Sequence, residues 1–244
     1  GSRTEACRDD WKIYYDNSVL CPSPDTDKIG AAAKDAGAYV SIGYTERDYD
    51  NGTLYCSNMI FSPEGELLCN HRKLKPTGAE RLIWGDADRD FFPVVESPWG
   101  RMGALICWEN YMPLARVALY MKGVSLYLCP NTNNNPEWHA TIQHIAIEGK
   151  CFVFHVNQYF TKEMYPDNYH GPASGQIAEL PAAPCNGGSA VIDPYGHYVT
   201  EPVWDKECII YADINPDEAA RARMEFDPCG HYSRPDVTEL IVYE

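Results

Sequence analysis

The chain has 244 residues, 45% of them hydrophobic and 12% aromatic, enough for one large core, and no linker or charge block divides it, so a single domain over residues 1–244 is expected. Its 20 Lys+Arg stand against 35 Asp+Glu, and the formal charge of −15 argues against nucleic acid and anionic membrane as partners. No run approaches the roughly 18 apolar residues of a membrane span, and the opening Gly1-Ser-Arg-Thr lacks the pattern of a signal peptide.

In chain order, residues 11–15 read as a short helix, and Pro22-Ser-Pro-Asp-Thr-Asp offers caps for an alanine-rich helix over 28–36 that Gly37 ends. Strands are predicted over 38–43, 54–61 and 67–69, with Pro63-Glu-Gly-Glu as a turn. After residues 91–95 and a Pro98-Trp-Gly turn comes Met102-Gly-Ala-Leu-Ile-Cys, and the chain then alternates. A helix over 113–122 with Leu114, Val117, Ala118 and Met121 on one face leads to a strand over 124–129. A helix over 137–148, stopped by Gly149, leads to a strand over 151–156. Strand and helix in alternation with near-continuous apolar strands predicts βαβ units of an α/β fold, whose sites lie beyond the carboxyl ends of strands. Residues 159–186 are irregular and long enough for a lid or an interface loop. A strand and hairpin turn from Gly187, a strand over 208–212, a helix over 216–224 and a strand-like end at 237–242, suited to docking on a partner subunit, complete the pattern.

The ten cysteines run from Cys7 to Cys229 with no Cys-x-x-Cys pair, several inside apolar runs, which reads as reduced thiols in a cytoplasmic protein. His139 and His144 are not spaced to share a helix face and no His-Glu-x-x-His exists, so neither a metal nor another cofactor is expected.

Two stretches carry chemistry. Cys107 ends an apolar run just before a helix expected near Pro113, so its thiol is placed close to orphan amides and a positive helix end, both of which favour thiolate. Taken alone, it reads first as an inert thiol closing a core strand, and only the rest of the chain moves that reading toward a nucleophile. The other stretch is His71-Arg-Lys-Leu-Lys-Pro-Thr-Gly-Ala-Glu-Arg-Leu-Ile-Trp-Gly. Such a charge cluster is usually a solvated loop, yet Lys73, Glu80 and the aromatic plate of Trp84 lie close enough in sequence for a pocket wall. The loop Pro130-Asn-Thr-Asn-Asn-Asn-Pro reads as polar connector or substrate contact, and as a strand end it is expected to share a crevice with Cys107.

His71-Arg-Lys-Leu-Lys-Pro-Thr, Glu80-Arg-Leu-Ile-Trp-Gly, Cys107-Trp-Glu-Asn-Tyr-Met-Pro-Leu, His144-Ile-Ala-Ile-Glu-Gly and Gly230-His-Tyr-Ser-Arg-Pro together resemble the nitrilase branch of the carbon–nitrogen hydrolase superfamily, over essentially the whole chain. The resemblance implies an α-β-β-α sandwich, with Cys107 as nucleophile, Lys73 as catalytic lysine and Glu80 as a supporting glutamate. It also implies that Trp84, Trp108, Glu109, Tyr111 and Asn131 line the substrate site. The implied reaction takes a small nitrile and water to acid and ammonia. The implied assembly is a homo-oligomer of dimers that can extend into spiral filaments.

The sequence departs from the family pattern at its start. Family members open with a strand, a helix and a strand ending in the general-base glutamate, and Gly1-Ser-Arg-Thr already resembles an internal stretch. The sandwich is therefore expected to be incomplete at the N-terminus, the segment being removed, not included, or supplied by a separate chain. Glu46, which the family carries beside the true base, is expected to be a surface or loop residue. Other readings are an amidase of the same superfamily and a non-catalytic assembly subunit.

Overall fold

The computed structural model describes residues 3–133, 135–166 and 174–243. The chain divides into two compact units, residues 1–89 with 160–184 and residues 90–159 with 185–244. Among the described residues no helix is long and apolar enough to cross a membrane.

The first unit is built on a four-stranded sheet in the order β1-β2-β3-β4. α1 (Glu5–Asp16), capped by the Thr4 hydroxyl, precedes β1 (Val19–Leu20). α2 (Pro24–Ala36) starts where the chemistry predicts a start: Ser23 accepts from the Thr26 amide, the Thr26 side chain answers the Ser23 amide, and Pro24 fills a position needing no donor. It ends on Gly37 at φ 58°. β2 (Val40–Arg47), β3 (Leu54–Phe61) and β4 (Leu67–Arg72) follow as an antiparallel meander, and β1 joins β2 in parallel. Ala33 of α2 packs on Met59 and Phe61 of β3, with Ile29 and Val40 at the rim.

Glu46 is a correction. It lies in β2, only 3% exposed, and its carboxylate takes hydrogen bonds from Ser57 (2.7 Å), Asn70 (2.9 Å) and the Arg72 guanidinium. Alternation along β2 explains this, since the strand turns this side chain onto the face that β3 and β4 present. Burial alone would raise its pKa, but the bonds from Arg72, Ser57 and Asn70 outweigh that and hold the group charged.

The second unit is built on a seven-stranded sheet in the order β11-β10-β8-β7-β6-β5, with β9 (Tyr159–Phe160) beside β10. β5 (Val94–Ser97) and β6 (Gly100–Ala104) form a hairpin; β6, β7 (Val124–Asn131) and β8 (Phe152–Asn157) run parallel. α3 (Pro113–Met121) and α4 (Trp138–Gly149) are the crossovers between them. β10 (Cys185–Ile192) and β11 (Tyr198–Trp204) continue the sheet antiparallel.

Four expectations change. α3 buries Ala115, Ala118 and Leu119, whereas Leu114 is 66% and Met121 54% exposed. The true core stripe recurs at the i, i+3, i+4 spacing, and the larger side chains of the neighbouring stripe misdirected the reading. Gly149 is the last residue of α4, and the left-handed cap is Lys150 at φ 47°. A β-carbon on Gly149 would lie 2.3 Å from the Tyr120 ring, so the glycine serves packing rather than the cap. Residues 208–212 form no strand; β11 takes 198–204 instead, where the hairpin turn after Asp193 brings the chain back onto β10. Nor do residues 237–242 form one. The stretch 159–186 contains a 3₁₀ turn (Lys162–Met164) and a short helix (Ser174–Glu179); the part of the expected lid at 167–173 lies outside the described residues.

Candidate active site

In the first unit, β4 delivers Lys73 immediately after its last residue. The lysine is 1% exposed, its backbone N–H donates to Cys56 O (2.8 Å), and its Nζ donates to Thr77 Oγ1 (3.0 Å) and Glu80 Oε2 (2.6 Å). Glu80 opens toward that ammonium because a 3₁₀ turn, Gly78–Leu82, brings it back over Thr77, whose amide donates to the same carboxylate (2.7 Å). Thr77-x-x-Glu80 is a capping-box spacing, a signal present in the sequence that identifies Thr77 as a third member of the group.

The loop carrying these residues is fastened at both ends. Trp84 bridges Leu54, and its Nε1 donates to Tyr14 Oη (3.1 Å). Asp88 and Arg89 pair with Arg72 (2.6 Å) and Asp48 (2.5 Å), and Arg72 itself reaches Asp48 (2.7 Å) and lies over the Tyr55 ring. Hydrogen bonding from Arg72 pulls the Asp48 carboxyl down to about 2, so the clasp is charged at any ordinary pH.

In the second unit, Cys107 follows β6 as the first residue of a 3₁₀ turn, Cys107–Tyr111, and is 6% exposed. The α-helix begins at Pro113, where the sequence leads one to expect it, and the 3₁₀ turn lies between it and the thiol. Its φ of 52° is left-handed, a conformation that costs a non-glycine residue about 1–2 kcal/mol and persists where surrounding bonds over-determine it.

Those bonds come from two residues. Glu109, 1% exposed, turns its carboxylate to the Ile106 amide (2.6 Å), so the structure gives it a bond to the turn's own backbone. Asn110, fully buried, donates from Nδ2 to Leu105 O (2.9 Å) and Cys107 O (2.7 Å) and accepts from Tyr127 Oη (2.7 Å). Sequence reasoning missed Asn110. Its signal is an amide three residues after the cysteine in a turn that leaves carbonyls to be satisfied.

Around the turn, Trp108 (50% exposed) meets Tyr111 edge-on at 5.6 Å between centroids, and Tyr111 (40% exposed) meets Trp138 at 4.9 Å. Asn131 ends β7. Ala104, the last residue of β6, stands opposite Leu128 in the parallel register; Cys107 lies three residues past the one, in the turn, and Asn131 three residues past the other, at the end of β7. The Asn131 side chain is buried, and among the described residues neither its Oδ1 nor its Nδ2 has a hydrogen-bond partner. Asn157, its neighbour on β8, spends its side chain bracing the loop through Asn133 N (3.0 Å) and Asn133 O (3.1 Å). Asn134 of that loop lies outside the described residues.

Lys73, Glu80 and Trp84 thus belong to the first unit, where the lysine and glutamate are bonded. Cys107, Trp108, Glu109, Tyr111 and Asn131 belong to the second, grouped about the ends of β6 and β7. Among the described residues no group of His, Cys, Asp or Glu is placed to hold a metal ion.

A cysteine on a sharp turn between a parallel strand and its crossover helix is the geometry of hydrolases that act through a nucleophile raised on such a turn. Comparison with known proteins narrows the class. Residues 7–224 match the carbon–nitrogen hydrolase family. The chain is 44% identical over its full length to an aliphatic nitrilase of Sinorhizobium fredii, covering 77% of that protein, and 41% identical to nitrilase 2 of Arabidopsis thaliana, covering 72% of it. A bifunctional nitrilase/nitrile hydratase of Lupinus angustifolius is 41% identical over 99% of the chain and 69% of its own length. In fold, a Helicobacter pylori carbon–nitrogen hydrolase superposes with a TM-score of 0.75 over 96% of this chain and 78% of its own, at 20% identity. Nit3 of Saccharomyces cerevisiae gives 0.73 over 92% and 77%, also at 20% identity. The chain belongs to the carbon–nitrogen hydrolase family, in its nitrilase branch, and is a hydrolase of carbon–nitrogen bonds with the mixed α/β fold of that superfamily.

Proposed function

We propose that this hydrolase converts small organic nitriles to the carboxylic acid and ammonia through Cys107. The observation that carries the reading is Cys107 itself, held at φ 52° in the turn at the carboxyl end of β6. The thiolate adds to the nitrile carbon and the nitrogen takes a proton, giving a thioimidate. Water adds, ammonia leaves, and the thioester that remains is hydrolysed by a second water, which returns the thiol. A cation beside the nitrogen stabilises charge as it develops, and Lys73 is the proposed source. An ammonium has three donors; two engage Thr77 and Glu80, and the third is the one assigned to the nitrile nitrogen. Glu80 fixes the lysine. Trp84, Trp108, Tyr111 and Asn131 contact the substrate, with Glu109 holding the turn beneath it.

Both water additions need a general base. Glu46 is not that base, because its carboxylate is committed to Arg72, Ser57 and Asn70. The resemblance gives the role to a glutamate on the strand–helix–strand segment, within the same polypeptide or on a separate chain. To the same proposal belong a single catalytic domain spanning both units, a homo-oligomer of dimers extending into filaments, and a cytoplasmic site of action. The ten cysteines are thiols, as suits a reducing compartment.

Ammonia release from a panel of aliphatic and aromatic nitriles, with amides alongside and Cys107→Ala as control, tests the function. Turnover of a nitrile that vanishes in Cys107→Ala is expected. Turnover of amides alone would assign an amidase, and none on any substrate would assign an assembly subunit. The lupin relative is named a bifunctional nitrilase/nitrile hydratase, so the amide is assayed as a product too.

A further inference from the structure

The bonds about Asn110 have a direction that bears on the reaction. Both hydrogens of an amide are on nitrogen, and here the nitrogen faces two carbonyls, Leu105 O at 2.9 Å and Cys107 O at 2.7 Å. The Asn110 oxygen must then be the acceptor, and the Tyr127 hydroxyl the donor, at 2.7 Å. That hydroxyl keeps its proton, because complete burial raises its pKa well above the usual phenol range. From the other side Arg116 of α3 donates to Asn110 O (2.8 Å), and Arg116 is itself paired with Glu148 of α4 (2.8 Å). Three elements therefore converge on one fully buried side chain and its backbone.

In a trans peptide the C=O and the following N–H point in opposite directions. The Cys107 carbonyl points inward, to Asn110. The N–H of the same peptide, that of Trp108, therefore points away from Asn110, on the side opposite the buried network. With φ at 52°, nothing in the intrinsic preference of a cysteine selects this orientation.

We infer that Asn110 is a positioning residue for the reaction: by anchoring the Cys107 carbonyl it presents the Trp108 N–H as a hydrogen-bond donor to the negative charge that forms when the thiolate has added to its substrate. The inference rests on the reading of Cys107 as nucleophile. It goes beyond that reading by naming the residue that orients the donor. A donor fixed before the charge appears costs no reorganisation during the reaction.

The test separates charge stabilisation from fold. Asn110→Asp keeps size and can still accept from Tyr127, but loses both N–H donors while ionised. Steady-state kinetics on the fastest nitrile of the panel should show kcat lowered about 10²-fold with KM nearly unchanged. Alkylation of Cys107 by iodoacetamide displaces iodide and builds no charge on a carbonyl or nitrile atom. Its rate should stay within about threefold of the parent chain, with the thermal midpoint retained. The kcat ratio of variant to parent should climb as pH falls, because a protonated Asp regains one O–H donor. Equal losses in alkylation and turnover, or a folded variant with kcat within about threefold of the parent, would overturn the inference. Should Asn110→Asp not fold, Asn110→Ser, whose single hydroxyl donor cannot serve both carbonyls, is expected to lower kcat several-fold and leave alkylation unchanged; no loss of kcat overturns the inference equally. Turnover surviving in Cys107→Ala, or no nitrile turned over by the parent chain, would instead remove the reading on which the inference rests.

Discussion

Two buried charged residues, Lys73 and Glu46, look alike in accessibility and differ in what occupies them. Lys73 donates to two partners, Thr77 and Glu80, whereas Glu46 is saturated by Arg72, Ser57 and Asn70. Replacing Lys73 with Ala should therefore lower kcat by about 10²–10³-fold, as for loss of a preorganised charge at a reacting centre, and steady-state kinetics will read it. Glu46→Gln should leave kcat within a few-fold while destabilising the fold by roughly 3 kcal/mol, because it strands part of a buried ion pair; denaturant unfolding measures this. At this scale the sequence was legible where spacing encodes local geometry: the bonded Lys73–Glu80 pair and the turn at Cys107 fall where their motifs stand. It was not legible for Glu46, whose burial follows from alternation along β2 once the neighbouring strands are in place, nor for Asn110, whose role exists only once the turn has left two carbonyls facing it.

At the scale of elements, α4 and its approach to α3 show what local pattern cannot encode. Gly149 reads as a helix stop, yet its function is to admit the Tyr120 ring, and the left-handed cap falls on Lys150. Gly149→Ala should destabilise by about 1–3 kcal/mol through overpacking, detected as a lowered thermal midpoint. The strand boundaries of β3 and the C-terminal end of α2 were legible because turn and cap residues act within four positions, whereas α2 starts at Pro24, four residues before the expected 28, because the Ser23 cap and Pro24 already open the helix. The face of α3 was not, because Leu114 and Met121 obey the same spacing as a core stripe and only packing decides between two adjacent stripes. The swap of 198–204 for 208–212 has a related origin, since 208–212 is the more apolar run but pairing with β10 selects 198–204.

Across the whole molecule, acid should weaken the fold through two groups. The Asp48 carboxyl, lowered by Arg72, gives stability that is present above the unfolded carboxylate range and is lost as pH falls toward about 2. His155 is buried and uncharged, with its pKa pushed down to about 4 by burial and by neighbouring His139. The unfolded chain takes up that proton first, so stability falls as pH drops from about 6.5 to 4, by roughly 3 kcal/mol. A thermal midpoint that declines over this range, and declines less in His155→Gln, is the expected record. The α/β class and the parallel β6-β7-β8 core were legible from strand–helix alternation; the division into two compact units was not, because contacts rather than composition define it. The most direct test of the central claim, that Cys107 carries the substrate covalently, is intact-mass and peptide analysis of the enzyme acid-quenched during turnover of a nitrile. An adduct of the thioimidate or acyl mass on the peptide containing Cys107, absent in Cys107→Ala, is the predicted result. Turnover at the normal rate by Cys107→Ala, or an adduct on another residue, would contradict it.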